Sequence, residues 1–173
     1  MRHPAIFLGM ILAAFLGGSA ARAFTFRVPD DFATIQAAVD VASSDDTVVV
    51  APGTYRGVGN REISLHGEGI VLRSVGGSMV TVIDCEGMGR AFTLVNGEPP
   101  AASIEGFRVI RGNGGPEGLG GAVLCIASSA TFLDCSFESS EAAAGGGAIR
   151  CANASPLFRY CSIVDNRAGR GGG

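Results

Sequence analysis

Apolar positions return at a fixed interval through the second half of the chain. GGAVLC at 120–125 reappears as GGAIRC at 146–151, and SATFLDCSF at 129–137 as SPLFRYCSI at 155–163, each matched position 26 residues after its partner. Inside each unit, apolar and polar residues alternate as in short strands, and glycine-rich stretches separate the units. A constant period with matches on apolar residues and glycines predicts a stacked-repeat solenoid. Phe132 then lies over Phe158, and Phe137 over Ile163, in interior columns. Each inward side chain is shielded only when a neighbouring rung is present, so no rung is stable alone.

The pattern extends upstream with less regularity. Ile104 aligns with Phe132 and Phe158, Phe107 with Cys135 and Cys161, and Val109 with Phe137 and Ile163. This interval is 28 residues, which places two extra residues in the turn at 112–120. Strands are expected at 63–65, 69–75, 81–84 and 91–95, giving about five rungs from Thr47 onward. Ahead of them, Ile35, Ala38, Val39 and Ala42 form one stripe of a short helix, with Asp30 and Asp31 placed where carboxylates favour a helix N-terminus. The run at 47–51 reads as a buried strand and Pro52-Gly53 as a turn. A short amphipathic helix at this place reads as the cap on the apolar end of the stack.

The first 23 residues have a different character. Arg2 and His3 precede the apolar run at 6–16, and Ala21-Arg22-Ala23 forms an A-x-A site, so a signal peptide is expected with mature residues starting at Phe24. Export follows, to the cell surface, the extracellular space or the periplasm. No later stretch is apolar enough to span a membrane. All 13 basic residues are arginine, and from Phe24 onward 11 arginines face 16 acidic residues, a net charge of −5. Without a basic run, nucleic acid is not an expected partner.

Chemistry-bearing residues are sparse. Of five cysteines, Cys125 with Cys151 and Cys135 with Cys161 fall at equivalent places on adjacent rungs. A rung spacing of about 4.8 Å exceeds the roughly 3.8 Å between Cβ atoms that a disulfide prefers, so these read as buried thiol columns, with a strained disulfide as the alternative. Without a C-x-x-C pair or a neighbouring histidine, no metal site is assigned. His66 is read as a surface turn residue. The carboxylates Asp45, Asp46, Asp84, Glu86, Glu138 and Glu141 do not recur in register as an acid–base pair would require, and are read as solvated. Arg108, Arg150 and Arg159 are placed facing outward. No catalytic residue and no cofactor is assigned.

Two stretches carry a family resemblance. VPDDFATIQAAVDVASSDDTVVVAPGTY at 28–55 is similar to the N-terminal cap and first strand of pectin-lyase-like right-handed parallel β-helix proteins. In that superfamily a T-I-Q-x-A-V/I helix precedes a D-T-V-x-V strand and a P-G-x-Y turn. The GGA units resemble those of polymorphic outer-membrane protein repeats, whose F-x-x-N partner motif is half kept: Phe137 leads to Ser140, and Ile163 to Asn166. The resemblance implies an all-β, right-handed, three-sheet parallel β-helix with a helical N-terminal cap. Residues 24–55 would form the cap and first strand, and 56–173 the rungs. Because no capping element follows Asn166, the chain is expected to be a fragment of a longer protein. The superfamily spans lyases, hydrolases, esterases, epimerases and adhesins. The expectation is an exported, non-catalytic, adhesin-like module binding a polysaccharide, a surface glycan or a protein. The alternative is the N-terminal part of a polysaccharide lyase or glycoside hydrolase with its active rungs beyond Gly173.

Overall fold

A computed structural model describes residues 22–172. The expected leader at 1–23 lies outside the described residues except for Arg22 and Ala23. The chain runs β1 (Thr25–Val28), α1 (Ile35–Val39), β2 (Thr47–Val50), β3 (Gly53–Tyr55), β4 (Val71–Ser74) and β5 (Thr81–Asp84). It continues through β6 (Phe92–Leu94), β7 (Ser103–Glu105), β8 (Arg108–Ile110), β9 (Val123–Ile126) and β10 (Thr131–Leu133). The last elements are β11 (Ser136–Glu138), β12 (Glu141–Ala142), β13 (Ile149–Ala152), β14 (Leu157–Arg159), β15 (Ser162–Val164) and β16 (Arg167–Ala168).

These strands stack as a parallel β-solenoid of about six turns. One sheet has six strands in the order β1-β2-β4-β7-β10-β14, the second five (β3-β5-β8-β11-β15) and the third three (β6-β9-β13). A fourth pairing, β12 with β16, adds to the three expected sheets and is confined to the last two rungs. The inward residues form columns by register. Val48, Leu72, Ile104, Phe132 and Phe158 align in the first sheet, and Tyr55, Ile83, Val109, Phe137 and Ile163 in the second. The Phe132 and Phe158 rings lie 4.8 Å apart at 7°, the offset stacking that parallel rungs impose on like residues.

Corners are turned by single left-handed residues that also stack. Gly106, Asp134 and Tyr160 occupy one corner, Arg111, Ser139 and Asp165 the next, and Ala127 with Asn153 a third, all at positive φ. Most of these are not glycine, so the rungs hold a backbone conformation that L-residues resist. The GGA motif has its own cause. Gly120 and Gly146 adopt positive φ, while an added Cβ on Gly121 would run into the Gly147 carbonyl of the next rung. Small residues are required because successive turns touch there.

At the N-terminal end α1 packs on β1 and β2, burying Ile35, Ala38 and Val39. Its cap is Thr34, whose hydroxyl accepts the Ala37 N–H at 3.3 Å, in place of the expected aspartates. Asp31 instead accepts the Arg27 N–H at 2.8 Å and closes its own turn. The helix is shorter than the 35–42 stripe. β1 was not expected: it pairs with β2 and makes the sixth layer of the first sheet. Among the described residues no helix is long and apolar enough to cross a membrane.

Candidate functional site

The most extended surface is the outer face of the six-stranded sheet. Alternation sends one residue of each pair inward, leaving two outward columns. Thr25, Thr47, Val71, Ser103, Thr131 and Leu157 make the first; Arg27, Val49, Arg73, Glu105, Leu133 and Arg159 make the second. Hydroxyls thus stand at four of six levels of one column, and guanidinium groups at three levels of its neighbour. Among the described residues, Arg27, Arg73 and Arg159 have no carboxylate within salt-bridge distance. Glu105 shares the arginine column and accepts a 2.7 Å hydrogen bond from Ser103. Where this face turns its corner, a shallow groove of ≈ 500 Å³ is lined by Met79, Asp134, Ser136, Tyr160 and Ser162 among others. Tyr160 is 77% exposed there, with the Arg159 guanidinium 5.6 Å from its ring centre.

The carboxylates expected to be solvated divide into two groups. Asp45 is exposed, whereas the side chain of Asp84 is only 1% accessible, a correction to the sequence reading. Arg111 donates to both of its oxygens and Arg56 to one, at 2.6–2.9 Å. The Arg111 guanidinium leads in holding Asp84 down to about 2, against the opposing effect of burial. Glu138 is paired rather than free: Arg108 donates to it through two nitrogens and keeps its carboxyl below the usual range. Asp46 is also buried, accepting N–H groups from Phe24 and Ser43 at 2.7 and 2.8 Å. Glu86 meets Arg61 at 3.1 Å, and Glu141 lies exposed beside Asn113.

His66 sits at the surface as expected, yet it is engaged. Its Nε2 lies 2.9 Å from Asp40, and hydrogen bonding to His66 keeps that carboxyl below its ordinary value. Arg90 was missed altogether. Its guanidinium is buried and donates to the carbonyls of Gly114, Leu119 and Gly120, which fixes the turn holding the two extra residues. A lone arginine in sequence carries no sign that its partners are backbone carbonyls about one rung ahead.

The thiols stack as the repeat implied, but the columns are only half buried, a correction to the sequence reading: Cys125 and Cys135 are buried, while Cys161 is half-buried and Cys151 exposed, because among the described residues no strand covers β13 or β15. Cys125 and Cys151 are register partners, and Cys135 and Cys161 flank the paired strands β11 and β15 at the same level. All five cysteines are free. Hydrogen bonding to Cys161, with burial, pushes the Cys135 thiol up and correspondingly lowers Cys161; burial alone leads for Cys85, pushed up to about 12. Among the described residues no three His, Cys, Asp or Glu side chains converge as a metal cluster. Comparison with protein-family models, with curated proteins and with solved structures finds no match.

Proposed function

We propose that this chain is an exported, non-catalytic module of the cell-surface or adhesin-like kind, which binds acidic glycans along the outer face of its six-stranded sheet. The reading is carried by one observation: Arg27, Arg73 and Arg159 are aligned without carboxylate partners among the described residues, beside a column rich in hydroxyls. A guanidinium fork matches a carboxylate or sulfate in two parallel hydrogen bonds, and hydroxyls both donate to and accept from sugar hydroxyls. Exposed Tyr160 adds an apolar face on which a sugar ring can rest. Stacked backbone pairing holds these groups at fixed spacing, which lowers the ordering cost of binding.

Membership in the pectin-lyase-like superfamily, with a processed leader, belongs to the same reading and is supported by the parallel solenoid and the 28–55 motif. The acid beside the arginines of the second sheet does not serve glycan cleavage in this reading. Both oxygens of Asp84 are already taken by Arg111 and Arg56.

An array of uronate-bearing and sulfated polysaccharides tests the proposal. Binding is expected to fall with added salt and to weaken at least about tenfold in the Arg73→Ser/Arg159→Ser double variant, since each lost charge-assisted bond is worth roughly 1.5 kcal/mol or more. A blank array, or binding unchanged by both substitutions, rejects it. Retention of a protein instead of a glycan would assign the face to a protein partner.

A further inference from the structure

We propose that the two cysteine stacks, Cys125–Cys151 and Cys135–Cys161, are binding sites for a soft d10 cation such as Cu(I), one ion held between two thiolates in each. Spacing carries the argument. Parallel rungs lie about 4.8 Å apart, and Cys125 and Cys151 are direct register partners across that gap. A disulfide wants sulfurs about 2.05 Å apart and Cβ atoms near 3.8 Å, closer than the rung spacing, and both thiols of the stack are free. A metal–thiolate bond of about 2.3 Å, taken twice in line, spans about 4.6 Å. The rung repeat therefore places the two cysteines where their thiols can reach the separation of a linear sulfur–metal–sulfur unit.

Donor chemistry narrows the ion. Thiolates select soft cations, and among the described residues no third His, Cys, Asp or Glu converges to complete the tetrahedral set that zinc favours. Two-coordination suits Cu(I) and its d10 relatives. The surroundings are dry on one side: Leu94 lies beneath Cys125 in register, and Phe107 occupies the position beneath Cys135. Cys125 and Cys135 are buried, while Cys151 is exposed and Cys161 half-buried, so each stack has one thiol that an arriving ion can reach. Arg150, adjacent to Cys151, offsets the negative charge left when two thiolates meet one monovalent cation.

The binding step balances without redox chemistry. Each pair donates two sulfur lone pairs to the metal and releases to solvent the protons its thiols still carry. The second stack also gives up its S–H contacts to the carbonyls of Ile104, Leu133, Phe132 and Arg159. Cys85 is a built-in control, because its neighbour across β5 and β8 is Arg111, not a cysteine.

The test is an anaerobic titration of the reduced full chain with Cu(I) against a chromophoric Cu(I) chelator, with released protons counted in parallel. Two ions per chain are expected, with proton release accompanying each. Capacity should halve in Cys151→Ser and in Cys161→Ser and vanish in the double variant, with circular dichroism checking that each stays folded. Uptake unchanged by both substitutions, or no uptake in competition with the chelator, overturns the proposal. X-ray absorption on the copper-loaded wild-type chain needs no variant. Two sulfur neighbours per copper support it, and three or more donors overturn it.

Discussion

Truncating Phe132 and Phe158 separately measures how much of a rung's stability comes from the rungs on either side. Phe132 is fully buried, stacked on Phe158 at 4.8 Å and edge-on to Phe92 and Phe137 at 6.0 and 5.9 Å. Phe158 is its register partner but is only half-buried, because among the described residues no strand pairs with the far side of β14. A buried Phe→Ala change costs about 3–5 kcal/mol. Phe132→Ala should fall in that range. Phe158→Ala forfeits contacts on one side only and should cost roughly half, about 1.5–2.5 kcal/mol. Both changes remove the same ring pair, so the double variant should cost less than the sum by about 0.5–1.5 kcal/mol. Urea unfolding followed by far-UV circular dichroism reads all three. With a slope near 2 kcal/mol/M, the midpoints should fall by about 2 M and about 1 M respectively. Equal shifts, a larger shift for Phe158→Ala, or strict additivity would refute stacking as the source of burial.

Three further outcomes follow from particular contacts. Asp84 is held near 2 instead of its ordinary 3.8, so its contribution is fully present above pH 4 and is lost as pH falls through 2. The shift corresponds to about 2.4 kcal/mol at most, and solvent around the half-exposed Arg56 and Arg111 reduces this to about 1–2 kcal/mol. Urea midpoints should drop between pH 4 and 2, and Asp84→Asn should flatten that part of the profile; an unchanged slope contradicts the pairing. Gly121→Ala drives a methyl into the Gly147 carbonyl and should cost about 3 kcal/mol or more by thermal denaturation, whereas Gly172→Ala, which meets nothing within 4 Å, should be neutral. The Phe24 backbone nitrogen donates to buried Asp46 at 2.7 Å. Cleavage after Ala23 would turn that amide into an ammonium and strengthen the bond, so the processed chain should be about 1 kcal/mol more stable than the unprocessed one. Asp46→Asn should erase the difference, and equal stabilities of the two forms would count against processing at this site.

Repeat spacing was readable where turn lengths are equal and lost where they are not. The last two layers of the first sheet are offset by 26 residues, and Phe132 over Phe158 follows directly from the sequence. The two extra residues of the preceding interval also fall where expected: Asn113 bridges to Glu141 at an offset of 28, while Leu119 bridges to Gly145 at 26. Upstream, β1 meets β2 at 22 residues, β2 meets β4 at 24 and β4 meets β7 at 32, because the intervening loops differ in length. No period survives that variation, and β1, with four residues before Pro29, carries too little alternation to announce itself. The Ser140 and Asn166 positions show the opposite case. Asn166 accepts the Ser140 N–H and donates to the Phe137 carbonyl, both at 2.9 Å, while Ser140 accepts the Gly112 N–H at 3.1 Å. Two different residues thus tie neighbouring rungs together, which a strict F-x-x-N pattern does not anticipate. The burial of Asp84 was hidden for a similar reason: Arg56 and Arg111 lie 28 and 27 residues away, adjacent only after the coil has closed.

The parallel register itself is tested most directly by spin labels on outward positions of the six-stranded sheet. Ser103, Thr131 and Leu157 occupy one column on successive layers. Labels at Thr131 and Leu157, one rung apart at about 4.8 Å, should give strongly broadened continuous-wave EPR lines, and labels at Ser103 and Leu157, two rungs apart, clearly weaker broadening. Sharp, non-interacting spectra from the Thr131–Leu157 pair would contradict the stacked solenoid.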